Sequence, residues 1–142
     1  MSILVLAPSL LLLRFPPRDP APAPRVPRSL GWLERAGQAL CLVIPAITAS
    51  GVVVWWWALA GAGALVGYYA LRIRYLTNGR RHKLLYDAVW RVPVPMAILP
   101  VVVFLATAGL LSNPWIGAAA IVLAAGHIPI AEITSRSLTA TS

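Results

Sequence analysis

The sequence predicts an all-α integral membrane protein, a compact bundle of about five transmembrane helices in a single domain over residues 1–142. Of its residues, 59% are hydrophobic and 11% are charged, which is typical of membrane proteins and not of soluble domains. The apolar residues fall into separate runs, with turn residues or arginines between them. Threading the runs back and forth brings all 12 Lys and Arg residues to one side, which is cytoplasmic by the positive-inside rule. The N-terminus is then outside and the C-terminus inside.

The first apolar segment, residues 2–15, is short for a hydrocarbon core about 30 Å thick. Its positive charges, Arg14 and Arg18, follow the apolar run instead of preceding it, which favours a retained segment over a signal peptide. The alternative to five crossings is four crossings, preceded by a short N-terminal piece that enters the membrane without spanning it. Residues 16–28 are rich in proline, which predicts an extended linker along the cytoplasmic surface.

The second and third segments are joined by a tight reversal. Residues 30–47 begin with an interfacial turn that contains Trp32 and Glu34, and they continue as an apolar body. Residues 48–51 are few and uncharged, so they predict a sharp turn on the outer side. Residues 52–71 carry tryptophans near their start and tyrosines near their end, as expected for a helix anchored at both interfaces.

The hydrophilic centre of the chain, residues 72–91, is predicted to be a basic cytoplasmic loop. Asn78 and Gly79 give a turn signal, and the apolar residues after them recur at the spacing of a short surface helix. Basic residues beside a membrane attract anionic headgroups by about 1 kcal/mol each. We therefore assign lipid-headgroup contacts to Arg72, Arg74, Arg80, Arg81, Lys83 and Arg91.

Two further crossings complete the bundle. Residues 92–111 form the fourth segment, and three prolines predict that its first half is irregular or kinked, as a hinge or as a wedge. Asn113 is a predicted N-cap, and the fifth segment covers residues 114–130. Residues 131–142 are predicted to form a cytoplasmic tail.

Two ionisable residues, His127 and Glu132, lie where the last apolar run ends. At about 1.5 Å per residue, His127 falls in the cytoplasmic third of the bilayer and Glu132 at the headgroups. Pro129 leaves one backbone carbonyl without its helical donor. One interpretation is therefore a structural cap, in which His127 bonds to a carbonyl, to Asp87 or to Glu34. The other is a polar functional site at this end of the bundle, with candidate catalytic residues His127, Glu132, Asp87 and His82.

The stretch "GRRHKLLY" in the central loop is similar to the Arg-His-Pro and downstream tyrosine signature of the isoprenylcysteine-type membrane methyltransferases. The similarity covers less than half of the chain and involves Arg81, His82 and Tyr86, with Glu132 after the following hairpin. Lys83 stands where the signature has proline, the tyrosine spacing differs, and one glutamate stands in place of a pair. The resemblance implies a small multi-helix enzyme that binds S-adenosylmethionine at its cytoplasmic end.

Small residues on the third segment predict close helix packing. Gly63 and Gly67 form a G-x-x-x-G motif, which lets another backbone approach closely. A small-residue stripe on the fifth segment, with Gly117 and Ala120, is the candidate partner, and a second copy or another membrane protein is the alternative. The predicted packing residues are Ala60, Gly63, Gly67 and Ala70.

The sequence contains no phosphate-binding loop, no Cys-x-x-C, no histidine pair at metal spacing and no serine nucleophile motif. We therefore expect no metal site and no cofactor. The basic residues that give the chain its net charge of +8 lie between the apolar runs. Their placement indicates the membrane topology and not nucleic-acid binding.

We expect a multi-pass protein in the inner membrane of a bacterium with GC-rich codons, in contact with the lipid bilayer. Its expected role is non-enzymatic, as an accessory or assembly protein that binds another membrane protein or itself. The alternative is a small enzyme or carrier that acts on a lipid-like substrate at the cytoplasmic interface.

Overall fold

The computed structural model describes residues 4, 5, 7, 14, 15, 24–81, 83–86 and 94–140. In this part of the chain all regular secondary structure is helical, which confirms the predicted all-α class. The helices are α1 (Arg28–Ile47), α2 (Trp56–Thr77), α3 (Lys83–Tyr86), α4 (Pro95–Leu110) and α5 (Pro114–Ala140). Among the described residues one stretch, Pro114–Leu138 of α5, is long and apolar enough to cross a membrane, and α4 is apolar but has 16 residues.

The hairpin of α4 and α5 forms the centre of the bundle. α1 packs along α5, α2 packs along α4, and the short α3 contacts α2, α4 and α5. Between α1 and α2 lies Val5 of the N-terminal segment, which is 3% exposed and shares an apolar cluster with Cys41 and Ala64. The bundle thus surrounds its interior from several sides.

The N-terminal segment is also tied to α2 by hydrogen bonds. The Tyr69 hydroxyl donates to the carbonyl oxygen of Leu4 at 2.8 Å, and the Tyr75 hydroxyl donates to that of Phe15 at 3.3 Å. The described residues of the first apolar segment therefore lie alongside α2 over several turns.

The two loops that the sequence assigns to the outer side meet at one end of the bundle. The N–H of Gly51 donates to the carbonyl of Leu111, and the N–H of Val54 donates to that of Leu110, both at 2.8 Å. The loops that join α1 to α2 and α4 to α5 are therefore on the same side. The beginning of α1 and the end of α5 are at the opposite end.

Asn113 forms the predicted N-cap of α5 and also joins the two loops. Its side-chain oxygen accepts hydrogen bonds from the N–H groups of Trp115 and Ile116, at 3.0 and 3.4 Å. Its amide nitrogen donates to the hydroxyl of Thr48 and the carbonyl of Ala49, at 2.8 and 3.2 Å. One side chain, 5% exposed, thus satisfies backbone groups at the helix start and across the loop.

α2 is shifted along the chain relative to the predicted segment 52–71: it begins at Trp56, and it continues into the first part of the predicted loop 72–91. It ends at Thr77, where the turn signal takes effect: the Asn78 side chain donates to the carbonyl of Arg74 at 2.9 Å, and Gly79 has a φ of 84°. The turn was predicted at the correct residues, and the preceding arginines belong to the helix.

α5 is longer than predicted, because it does not end near Ile130. It continues through Pro129 to Ala140, so the predicted tail 131–142 is helical up to residue 140. A proline removes one helical hydrogen bond, and the turn that follows it is supported locally. The Thr134 hydroxyl donates to the carbonyl of Ile130 at 2.8 Å.

Candidate functional site

A cavity of about 220 Å³ lies inside the bundle, toward the end at which α1 begins and α2 ends. All five helices and Val5 contribute to its wall. Its polar lining residues lie toward that end of the bundle, together with apolar ones such as Leu85 and Ile130, whereas the lining residues one to two turns deeper are apolar. The polar lining residues are Glu34, Gln38, Tyr68, Arg72, Tyr86 and His127; the deeper apolar ones include Cys41, Pro100, Phe104 and Leu123.

Two glycines bring α1 and α5 into backbone contact beside the cavity. A Cβ atom on Gly126 would overlap the backbone of Glu34, and one on Gly37 would overlap the backbone of Leu123. Only glycine fits where two helix backbones approach this closely. The close approach positions His127, the residue after Gly126, next to α1.

His127 is hydrogen-bonded to Glu34 across this helix contact. The His127 Nδ1 atom lies 2.5 Å from the Glu34 Oε1 atom, and both side chains are partly buried. With the proton assigned to Nδ1, the ring donates to the carboxylate and its Nε2 atom remains available as an acceptor. Glu34 was one of the partners that the sequence named for His127. Because α5 continues to Ala140, His127 does not lie at a helix end, and the pair joins two helices instead of capping one.

Arg72 lies buried in the cavity wall, a position that does not favour its predicted contact with lipid headgroups. It is 8% exposed. Its Nη2 group donates to the Tyr68 hydroxyl at 3.1 Å, and its Cζ atom lies 5.4 Å from the Tyr68 ring centroid. Because α2 continues beyond residue 71, Arg72 falls on the same inward face as Tyr68, one turn further along.

The other predicted headgroup residues have different environments. Arg74 and Arg81 are exposed, and the guanidinium of Arg80 lies 5.7 Å from the centroid of the Phe15 ring. Lys83 begins α3, and Arg91 lies outside the described residues. For these residues the lipid contact stays a prediction.

Tyr86, the last residue of α3, lines the cavity together with the two charged side chains Glu34 and Arg72. Burial raises the pKa of its hydroxyl, the Glu34 carboxylate raises it further, and the Arg72 guanidinium lowers it. The hydroxyl therefore stays protonated at neutral pH and is able to donate or accept a hydrogen bond.

Of the other candidate catalytic residues, Glu132 is described by the structure, and it does not line the cavity. Glu132 is 43% exposed in its side chain and lies 4.0 Å from the Nη2 atom of Arg136, one turn further along α5. His82 and Asp87 lie outside the described residues. Of the methyltransferase-like set, Arg81 is exposed and Tyr86 lines the cavity, so the structure does not bring the described members together.

Gln38 and Tyr68 were not identified as site residues from the sequence, and Arg72 was assigned to lipid headgroups instead of to an interior site. A signal was present, because Glu34 and Gln38 on α1, like Tyr68 and Arg72 on α2, are four residues apart and share a helix face. Polar residues four apart within two apolar helices indicate a shared polar interior, but the sequence does not say that the two faces meet.

The predicted small-residue stripe on α2 is mostly exposed. Ala60, Gly63 and Ala70 lie on the outer surface, and no atom lies within 4 Å of a Cβ position on Gly63. Gly67 is half-buried, and a Cβ atom added to it would lie 3.6 Å from a methyl group of Leu99. Within this chain, α2 packs through the adjacent face, whose buried residues include Gly61, Ala64 and Tyr68.

Among the residues that the structure describes, no group of three or more His, Cys, Asp or Glu side chains is arranged to hold a metal ion. The cavity instead combines hydrogen-bonding groups at one end with an apolar interior, an arrangement suited to an amphipathic small molecule. Compared with known proteins, the chain matches no family model, no curated protein and no solved structure.

Proposed function

We propose that this chain is a multi-pass bacterial inner-membrane protein that binds a lipid-like molecule at the cytoplasmic end of its bundle, as a carrier and not as a catalyst. The observation that carries the proposal is the cavity, which has polar groups near the predicted cytoplasmic surface and apolar walls at greater depth. This arrangement matches a molecule whose polar head lies at the cytoplasmic surface and whose apolar part extends into the bilayer, as in a lipid of the cytoplasmic leaflet.

The outer surface of the bundle supports the membrane part of the proposal. Trp56, Leu59 and Val66 on α2 are 81%, 69% and 70% exposed, and α1, α4 and α5 also have exposed apolar side chains. A soluble protein rarely exposes so continuous an apolar surface. A bilayer would cover it, with the uncharged loops outside and the basic segments inside.

The size of the cavity limits what it holds. An engineered cavity of about 150 Å³ accommodates benzene, so about 220 Å³ holds an apolar segment of roughly ten heavy atoms. A whole phospholipid does not fit. The proposed ligand is therefore a small amphiphile, or one segment of a longer lipid whose remainder stays in the bilayer.

Binding is favoured over catalysis because the polar groups already have structural roles. His127 and Glu34 bond to each other at the contact that Gly37 and Gly126 allow. The Arg72 guanidinium bonds to Tyr68 in the same wall. A ligand adds to these bonds without any of the groups having to transfer a proton.

Native mass spectrometry of the full chain, extracted in a mild detergent, tests the proposal. We expect one lipid-like molecule per chain, with lower occupancy in Ala97→Phe, because Ala97 is a buried residue of the cavity wall. Gly63→Phe is the matched control, since its added side chain meets open space. A chain without a bound small molecule, or equal occupancy in both variants, contradicts the carrier function.

An accessory role is the second candidate function. It is favoured by the exposed Gly63 surface of α2, where a helix of another membrane protein or of a second copy is able to approach closely. A stoichiometric protein partner or a defined homo-oligomer in the same spectra, lost in Gly63→Phe, would support this role.

A further inference from the structure

We infer that the cavity selects a ligand whose polar head carries no net charge, such as a hydroxyl, an amide or a zwitterion, on an apolar segment of roughly ten heavy atoms. This inference rests on the proposed carrier function and specifies its ligand class.

The charges on the cavity wall are balanced and lie on different helices. Among the described lining residues, Arg72 of α2 is the one basic side chain with a fixed charge, and Glu34 of α1 is the one carboxylate. Both act on Tyr86, because Glu34 and Arg72 shift the pKa of its hydroxyl in opposite directions. A head group beside Tyr86 is therefore subject to one charge of each sign.

A singly charged head group would be attracted by one of these charges and repelled by the other. In a wall of low polarity, charges interact strongly and an unbalanced charge is costly to bury. An uncharged head avoids both costs: a hydroxyl or an amide accepts from a guanidinium N–H, donates to a carboxylate, and bonds to the Tyr86 hydroxyl as donor or acceptor. A zwitterion places each of its charges next to the opposite one.

The apolar end of the cavity determines the kind of apolar segment that the ligand carries behind its head group. Pro100 and Phe104 of α4 line the deeper part together with Cys41 of α1 and Leu123 of α5. These side chains offer apolar contacts, so a saturated or prenyl-type chain fits there while the head remains near Glu34 and Arg72.

The test compares three ligands with the same ten-carbon chain: decanol, decane-1-sulfonate and decylamine. Their dissociation constants are measured by isothermal titration calorimetry on the full chain in phosphatidylcholine nanodiscs, with empty nanodiscs to correct for partitioning. We expect decanol to bind wild type at least about tenfold more tightly than either charged ligand, the ratio that one like-charge contact readily produces.

Two variants that each remove one charge sharpen the comparison. Glu34→Gln removes the negative charge, so we expect decane-1-sulfonate to gain affinity relative to decanol. Arg72→Gln removes the positive charge, so we expect decylamine to gain instead. Circular dichroism and size-exclusion chromatography verify that each variant folds, and Gly63→Leu, at an exposed position, is expected to bind all three ligands as wild type does.

The outcomes separate the inference from the function on which it rests. Tighter binding of either charged ligand to wild type overturns the uncharged head and leaves the carrier function standing. Binding of all three at the level of the cavity-filled Ala97→Phe variant overturns the carrier function itself. If Ala97→Phe does not fold, Ala131→Leu replaces it, because Ala131 lines the same cavity.

Discussion

The two ends of the helix bundle are built differently. At the end where the loops meet, backbone N–H and carbonyl groups of one loop bond directly to the other, and Asn113 links the start of α5 to the turn after α1. At the opposite end Glu34 of α1 bonds to His127 of α5 through its side chain, and Arg72 bonds to Tyr68 within α2. Backbone bonds join the two loops at the first end, whereas side chains line a cavity at the second.

This difference indicates which end is able to carry function. The loop end holds an open depression of about 330 Å³ whose described lining residues include no ionisable side chain, and its polar groups bond to each other across a short distance. The cavity end has ionisable groups, an apolar interior and two helices held together by glycines. Substitutions at each end test how firmly it is built.

The largest effect is expected at the helix contact that supports the cavity end. Gly126→Leu places a side chain into the backbone of Glu34, and neither helix backbone is able to yield as a side chain would. We expect a loss of about 3 kcal/mol or more in stability, measured as a fall in the temperature at which the protein loses its monodisperse peak in size-exclusion chromatography.

Gly31→Leu is the control for this prediction, since Gly31 also lies on α1 and no atom lies within 4 Å of its Cβ position. It should melt within a few degrees of wild type. A wild-type melting temperature in Gly126→Leu would mean that α1 and α5 are not in backbone contact.

A smaller effect is expected at the loop end. Asn113→Ala removes the N-cap of α5 and the bonds to Thr48 and Ala49, and we expect a loss of about 2 kcal/mol. Asn113→Asp keeps the capping oxygen but removes the amide donor, so its stability should fall between wild type and Asn113→Ala. Thermal melting of the three proteins in one detergent measures the order, and equal melting of Ala and Asp variants would contradict the bridging role.

The sequence predicted this loop end well, and the physical reason is that its signals are local. The Asn113-Pro114 pair specifies a helix start through neighbouring backbone groups. Asn78 and Gly79 likewise specify a turn, and both signals act where they were predicted to act. Such local signals predict structure correctly because a cap or a turn is formed by residues close together in the sequence and does not depend on which helices pack against each other.

The cavity end was predicted less completely, because its arrangement depends on helix rotation. Residues 60–64 of α2 are all small, so they offer more than one face for close packing, and the structure uses the face of Gly61 and Ala64. That rotation buries Arg72 and exposes Gly63. The partner of His127 was among those named, whereas the glycine contact that brings the two helices together was not.

A moderate effect is expected for the pair that spans α1 and α5. In a double-mutant cycle of Glu34→Ala and His127→Ala, we expect a coupling energy of about 1 to 2 kcal/mol, as for a hydrogen bond that involves a charged group. Chemical unfolding monitored by circular dichroism measures each corner of the cycle. Additive losses would show that the two side chains do not interact.

The smallest effect is expected for Glu132, the other ionisable residue near the end of the last apolar run. Its pairing with Arg136 is solvent-exposed and long, at 4.0 Å, and exposed pairs one helical turn apart contribute less than about 0.5 kcal/mol. Glu132→Gln should therefore leave both thermal stability and decanol affinity as in wild type, whereas Glu34→Gln changes ligand preference. Both glutamates carry the same charge in the sequence, so a difference between them arises from position alone. If Glu132→Gln altered ligand preference as Glu34→Gln does, the change in preference would come from the summed electrostatic field of all charges at this end of the bundle. It would then not come from a contact between the ligand and the cavity wall.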